Sequence, residues 1–155
     1  MLGKCKDLII KDFQSNENIT SLILGYGEEV IDLKDNNVFD RLVIDLSQDT
    51  AKTYVTMDST ILNSGTSIKC VEIILNIFTH LSLISLSTAE KAFYYKQGFY
   101  GNRIDILIDA IIRCLRGSNK YGIGELQLRE RNTMSIFQPN ENYYGKQIAF
   151  QVYDF

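Results

Sequence analysis

The stretch AEKAFYYKQGFY, at residues 89–100, brings several aromatic residues and a glycine together directly after an apolar run. A phenol with a pKa of about 10 stays protonated at neutral pH and can act as a general acid. Tyr94 and Tyr95 are the two candidates, and on a helix they point about 100° apart, so only one can face a given cleft. The stretch is therefore either a helix that carries a hydroxyl to a reaction centre or an ordinary helix that ends at Gly98.

A second candidate is the small polar turn LNSGTS at residues 62–67, between a β-rich run and a longer apolar run. A turn of small residues that opens a helix leaves backbone N–H groups free at the positive end of the helix dipole, where phosphate binds. The residues that would hold the phosphate are Ser64, Gly65, Thr66 and Ser67. The alternative is that Ser64 or Thr66 only caps the helix.

Residues 52–100 together predict a strand, a small polar loop, a helix, a strand and a helix that ends in Gly-Phe. With FYYKQGF at residues 93–99, this order resembles the GNAT superfamily of N-acetyltransferases, whose second motif reads roughly Tyr-x-Lys-x-Gly-Phe. In the family's first motif, Arg/Gln-x-x-Gly-x-Gly/Ala, Gly65 matches the central glycine. Leu62 stands in place of the Arg or Gln, and Ser67 replaces the last small residue.

The resemblance implies an acyl-CoA-dependent N-acyltransferase that moves an acetyl group from acetyl-CoA to an unknown amine by direct attack. The coenzyme would lie where a strand ending near Met57 splays from a strand at residues 81–86, and Tyr94 would protonate the departing thiolate. The residues implied to contact the coenzyme are Thr60, Ile61, Ser64, Gly65, Thr66, Ser67, Ile68 and Ser87. For the base that accepts the amine proton, the candidates are Glu28, Glu29, Asp58 and His80, with no signature that chooses among them.

Two alternatives remain open. A catalytically degenerate acetyltransferase-like module would keep the fold, bind a protein partner and use the aromatic residues as core, and the altered first motif favours it. An unrelated α/β binding protein would carry FYYKQGF by chance, because short motifs have real false-positive rates.

Periodicity predicts the remaining elements. Helices are expected at residues 19–24, 68–80 and 104–116 besides the aromatic one, with a turn at the GYG of residues 25–27. Strands are expected at residues 7–13, 30–33, 42–46, 52–57, 81–86, 123–129 and 147–153, the third and fourth forming a hairpin. This pattern predicts an α/β (α+β) fold in one domain over residues 1–155. The resemblance implies that it is a single GNAT-like domain with a mixed, mostly antiparallel sheet flanked by helices.

Composition limits the partners. Hydrophobic residues make up 45% and charged residues 23%, as in globular proteins. A net charge of -3 without a basic stripe argues against nucleic acid, and the apolar runs are too short to span a membrane. With no secretory signal, we expect a cytoplasmic protein whose Cys5, Cys70 and Cys114 stay reduced. A single histidine and no cysteine pair argue against a metal site.

The predicted helix at residues 104–116 is apolar around most of its circumference. Its polar stripe consists of Asp105, Asp109 and Arg113, which is too narrow for a helix exposed along one side. We therefore expect a second subunit, in a homodimer, or another partner to cover one flank, with Asp109 and Arg113 paired along the exposed edge.

Overall fold

A computed structural model describes residues 2–47, 50–64, 68–129 and 135–153 of the chain. Within them, four α-helices and six strands follow one another in groups, two helices, three strands, two helices and three strands, as an α+β arrangement. The helices are α1 (Leu2–Ser15), α2 (Glu17–Leu24), α3 (Thr88–Tyr95) and α4 (Arg103–Leu115), with a 3₁₀ turn at Leu81–Leu83. The strands are β1 (Val38–Phe39), β2 (Thr53–Ser64), β3 (Ile68–His80), β4 (Gln127–Leu128), β5 (Ser135–Phe137) and β6 (Tyr143–Tyr153).

The strands form one sheet in the order β1-β2-β3-β6-β4, and β5 also pairs with β6. Only the β1–β2 pair is parallel among the described strand pairs. The predicted fold class, an α+β domain with a mixed, mostly antiparallel sheet flanked by helices, is therefore confirmed.

Residues 68–80 form the central strand β3, so the predicted helix there is wrong. β3 lies between β2 and β6, and side chains on both of its faces are buried, so the alternation that marks a half-exposed strand is lost. The polar residues Glu72 and Asn76 share one face and are held by β6, because Gln151 donates to Glu72 at 2.9 Å and Gln147 donates to Asn76 at 2.8 Å. A spacing of four residues fits one strand face as well as one helix face.

The helices cover one face of the sheet and a smaller cluster covers part of the other. The main core combines residues such as Met57, Ile73 and Leu75 with apolar residues of all four helices. On the opposite face, Tyr54, Phe78 and Tyr143 pack with Phe39, Phe137, Ile44 and Leu46. Residues 42–46 therefore lie over the sheet rather than in it, and the predicted hairpin with residues 52–57 is wrong because β2 pairs with β3 instead.

The strand predicted at residues 7–13 is also wrong, because these residues lie inside α1. The predicted strands at 30–33 and 81–86 are wrong too. Residues 30–33 pair with no described strand. Residues 81–86 begin with the 3₁₀ turn, where Leu81 is exposed. Of the strand predicted at 123–129, only β4 forms. The helices predicted at 19–24 and 104–116 are confirmed to within two residues at each end. The strands predicted at 52–57 and 147–153 are confirmed as strands, but β2 continues to Ser64 and β6 begins at Tyr143.

Helix α4 is covered by the chain itself. Seven of its apolar residues are buried in the core, namely Ile104, Ile106, Leu107, Ile108, Ala110, Ile111 and Leu115. Arg113 lies over the ring of Phe99 at 4.0 Å rather than pairing with Asp109. The helix needs no second subunit to bury it, and the homodimer stays a prediction without this support. In the part of the chain that the structure describes, no helix is long and apolar enough to cross a membrane.

Candidate functional site

The FYYKQGF stretch forms the end of α3 and its stop signal. Gly98 has a φ of 87°, in the left-handed region, and its N–H donates to the carbonyl of Tyr95 at 3.0 Å. The N–H of Phe99 donates to the carbonyl of Tyr94 at 3.2 Å. These two bonds are a Schellman motif, in which glycine allows the turn and the following apolar residue packs back on the helix. Phe99 is buried accordingly. The motif's glycine and phenylalanine thus have a structural explanation.

The two neighbouring tyrosines have different environments. Tyr94 is completely buried, and its hydroxyl lies 2.5 Å from the hydroxyl of Ser21 on α2. Burial raises the pKa of Tyr94, so its phenol is neutral at pH 7. Tyr95 is half-buried, packs against the ring of Tyr100 in a tilted arrangement and donates to the carbonyl of Gly101 at 3.4 Å. Of the two hydroxyls, the one predicted to be catalytic is therefore enclosed in the contact between α2 and α3.

A buried ion pair lies one helical turn from Tyr94. The guanidinium of Arg103 donates to Glu90 at 2.7 Å, to the carbonyl of Leu22 at 3.1 Å and to the carbonyl of Leu83 at 2.7 Å. Burial opposes ionisation of Glu90, but the N–H of Ser87 and the charge of Arg103 outweigh it, so its pKa is lowered. The pair joins α2, the 3₁₀ turn, α3 and α4.

Of the residues predicted to bind the coenzyme pyrophosphate, Ser64 ends β2 and Ile68 begins β3. Ser64 and Ile68 are backbone partners across the two strands, so Ile68 begins a strand and no helix N-terminus opens there. Gly65, Thr66 and Ser67 lie outside the described residues. The helix dipole on which the predicted phosphate site depends is therefore missing at this position.

The other predicted coenzyme contacts are spread over the fold. Thr60 and Ile61 are exposed residues of β2, paired with Glu72 and Val71. The predicted cleft lay between β2 near Met57 and a strand at residues 81–86, but Leu81–Leu83 form the 3₁₀ turn and β2 pairs with β3 instead, so that pair of splayed strands does not form. β3 is 13 residues long, so Ile68 at its start and His80 at its end lie about 40 Å apart.

Ser87 caps α3 and lies near the His80 end of β3. Its hydroxyl accepts from the N–H of Glu90 at 3.2 Å, and the carboxylate of Glu90 accepts from the N–H of Ser87 at 3.1 Å. This is a capping box. Arg103, bound to Glu90, lines a small pocket with Lys52 and Thr53, which lie where β2 begins. The structure therefore does not gather Ser87 into one site with Ser64 and Ile68.

A concave site does exist beside α2. The GYGE sequence forms a turn in which the N–H of Glu28 donates to the carbonyl of Gly25 at 3.3 Å and Gly27 has a φ of 81°. A type II turn requires a positive φ at this position, which glycine supplies. The turn places Tyr26 at its exposed corner, with its ring centre 5.1 Å from that of Phe93 on α3.

This turn, α2 and Phe93 enclose a cleft with a cavity volume of about 330 Å³, called here the α2 cleft. Its walls include Glu17, Ser21, Leu24, Tyr26, Glu28 and Phe93. Glu17, Ser21 and Leu24 share one face of α2, because they are spaced four and three residues apart. Through Ser21 the cleft reaches the buried hydroxyl of Tyr94.

A family model described as YomW matches residues 6–152. The chain belongs to the YomW family. No curated protein and no solved structure matches the chain.

In this YomW-family chain, the sequence predicts single residues of the α2 cleft but not that they lie together. The GYG turn was predicted as a turn, and Glu28 was a candidate base, but Tyr26 and Phe93 were assigned no role. Their contact joins residues far apart in sequence, and only the packing of α2 on α3 shows it. Two other candidate bases have structural partners: Asp58 binds Lys6 at 3.3 Å, and His80 accepts from Ser82 at the 3₁₀ turn.

Proposed function

We propose that this protein is a binding domain whose α2 cleft takes an organic cation, either a primary amine or a guanidinium on a short apolar stem. The main support for this proposal is the set of side chains that line the cleft. Tyr26 and Phe93 supply aromatic ring faces, and Glu17 and Glu28 supply carboxylates at the rim. No lysine or arginine is among the described residues that line it. Aromatic faces and carboxylates together favour a cation over a neutral or anionic ligand.

The expected affinity for a small amine is modest. A cation over an aromatic face gains about 0.5–2 kcal/mol, and burying about 100 Å² of an alkyl stem gains about 2.5 kcal/mol. Exposed ion pairs add at most about 1 kcal/mol each. The sum is about 3–6 kcal/mol before the cost of association, and after that cost a dissociation constant on the order of 1 mM is expected. The chain's own Lys96 Nζ lies 5.7 Å from the centre of the Phe93 ring, within the range of a cation–π contact, and this supports the proposal.

Binding can be measured by NMR titration with n-butylamine, with n-butanol as the neutral control of similar shape. We expect n-butylamine to shift the resonances of Tyr26 and Phe93 with a dissociation constant of about 1 mM, and n-butanol to bind at least about tenfold more weakly. The double variant Glu17→Gln/Glu28→Gln should weaken amine binding, whereas Glu141→Gln, an exposed acid on another turn, should not. Equal binding of the amine and the alcohol would refute the proposal.

Acyl transfer from acetyl-CoA to an amine is a second candidate, and one observation favours it. The Tyr94 hydroxyl is bonded to Ser21, a wall of the α2 cleft, so a neutral phenol lies one side chain away from the proposed amine site. Isothermal titration with acetyl-CoA separates this candidate from a binding domain, because absence of binding would exclude it. If turnover is found, Tyr94→Phe should lower it by about 10²- to 10⁴-fold, and Tyr95→Phe should leave it unchanged.

We also propose the cytoplasm as the compartment. Cys5, Cys70 and Cys114 are free thiols in the structure, and burial raises the pKa of each. Such thiols pack as small apolar groups and suit a reducing compartment.

A further inference from the structure

The segment at residues 28–32, EEVID, begins at the edge of the α2 cleft and exposes large apolar side chains. Val30 is 63% exposed and Ile31 is 49% exposed, next to Tyr26 at 45%. Val30 is also a wall of the cleft. Three carboxylates, those of Glu28, Glu29 and Asp32, lie on the same short segment.

Hydrogen bonds hold the backbone of this segment along one of its two edges. The amide of Gln14 donates to the carbonyl of Ile31 at 3.0 Å and accepts from the N–H of Leu33 at 2.7 Å. A residue in a neighbouring parallel strand makes this same pair of bonds, so residues 31–33 are extended. Leu33 is completely buried and anchors the segment to the core.

The opposite side of the segment carries free backbone groups. Because backbone groups alternate in direction along an extended chain, those of Val30 and Asp32 point away from Gln14. No described residue bonds to the N–H or carbonyl of Val30 or to the N–H of Asp32, whereas the carbonyl of Asp32 accepts from Asn36 at 2.8 Å. An extended segment with free donors and acceptors is a surface to which another strand can be added.

We infer that the cation of the α2 cleft is a lysine or arginine side chain of an extended partner peptide, which pairs by backbone hydrogen bonds with residues 28–32. This inference rests on the proposed function. The peptide's basic residue enters the α2 cleft beside the contacting rings of Tyr26 and Phe93, and its apolar flanking residues cover Val30 and Ile31. The carboxylates of the segment and of the cleft rim select a basic peptide by charge complementarity.

The test compares three ligands on the full chain by isothermal titration: the peptides Ac-TVKVT-NH₂ and Ac-TVQVT-NH₂, and n-butylamine. We expect the lysine peptide to bind at least about tenfold more tightly than n-butylamine, and the glutamine peptide to bind at least about tenfold more weakly than the lysine peptide. Asp32→Pro removes the outward N–H and should reduce the peptide's affinity towards that of the amine. Asp32→Ala, which removes the same carboxylate but keeps the N–H, is the matched control and should bind the peptide more tightly than Asp32→Pro.

The lysine peptide N-methylated at its valines tests the backbone bonds on unaltered protein and should lose the same advantage. If n-butylamine binds but the lysine peptide binds no more tightly, the inference is overturned and the proposed function stands. If neither binds, the proposed function fails and the inference with it. Equal affinity of the two unmethylated peptides, or a dimer in sedimentation that Asp32→Pro dissociates, would also overturn the inference, because the occupant would then be a neutral strand or a second copy.

Discussion

The carboxylate of Glu90 and the guanidinium of Arg103 lie 2.7 Å apart, and both side chains are at least 90% buried. Among the described residues, the other hydrogen-bond partners of this guanidinium are the backbone carbonyls of Leu22 and Leu83. Breaking one partner of such a pair leaves a buried charge without compensation.

Glu90→Gln should therefore lower the free energy of unfolding by about 3–5 kcal/mol, measured by urea denaturation. The double variant Glu90→Leu/Arg103→Met removes both charges and should be less destabilised than the single variant. A Glu90→Gln protein as stable as the wild type would show that the pair does not hold α3 on α4.

The same carboxylate predicts a pH dependence. The pKa of Glu90 is lower in the folded protein than its ordinary value of 4.5, so the ionised form contributes stability above pH 4.5. This contribution is lost as pH falls below 4.5 towards the folded-state pKa. Between pH 5 and pH 3 the wild type should lose more stability than Glu90→Gln, in denaturation series at constant ionic strength. Parallel pH curves for the two proteins would contradict this assignment.

Tyr94→Phe should destabilise the protein by about 1 kcal/mol, because it removes the hydroxyl that lies 2.5 Å from Ser21. Tyr95→Phe removes only a long bond near the surface and should change stability by less than about 0.5 kcal/mol. A double-mutant cycle with Ser21→Ala isolates the Tyr94–Ser21 term. A coupling energy of zero would mean that the two hydroxyls do not bond in solution.

Gly145→Ala should destabilise the sheet by about 1–3 kcal/mol or more. Gly145 pairs with Phe78, and a Cβ built at this position would lie 1.8 Å from the carbonyl oxygen of Ile77 and 2.5 Å from the Cα of Phe78. Gly3→Ala is the control, since a Cβ there meets nothing within 4 Å and alanine favours the helix α1. Thermal unfolding of both variants checks the difference, and equal melting temperatures would contradict the packing at Gly145.

The sequence predicted the α+β class and helices α2, α3 and α4, because their apolar periodicity and caps are local properties. It misassigned α1 because a seven-residue window, DLIIKDF, is too short to separate the two periods. Over Leu2–Ser15 the buried residues Cys5, Ile9 and Phe13 recur every four residues, as in a helix. For β3, the burial of both faces depends on β6, which no local pattern in residues 68–80 contains.

The candidate site was predicted in parts only. The enclosed hydroxyl of Tyr94 follows from helix geometry, but its partner Ser21 is 73 residues away in sequence. The phosphate site was predicted from a helix at residues 68–80, and it lost its basis when those residues formed a strand. The cleft depends on a tertiary contact between a turn and α3, and the turn glycines were the only local signal of it.

The position of β3 between its two neighbours has a consequence for synthesis on the ribosome. β2 precedes β3 directly and can pair with it as soon as His80 has emerged, whereas β6 begins only at Tyr143. Throughout the intervening translation, one edge of an isoleucine-rich strand remains open on the nascent chain. Open apolar edges recruit other chains, so this interval is when the protein is most prone to aggregate, and a chain that terminates before Tyr143 keeps that edge permanently.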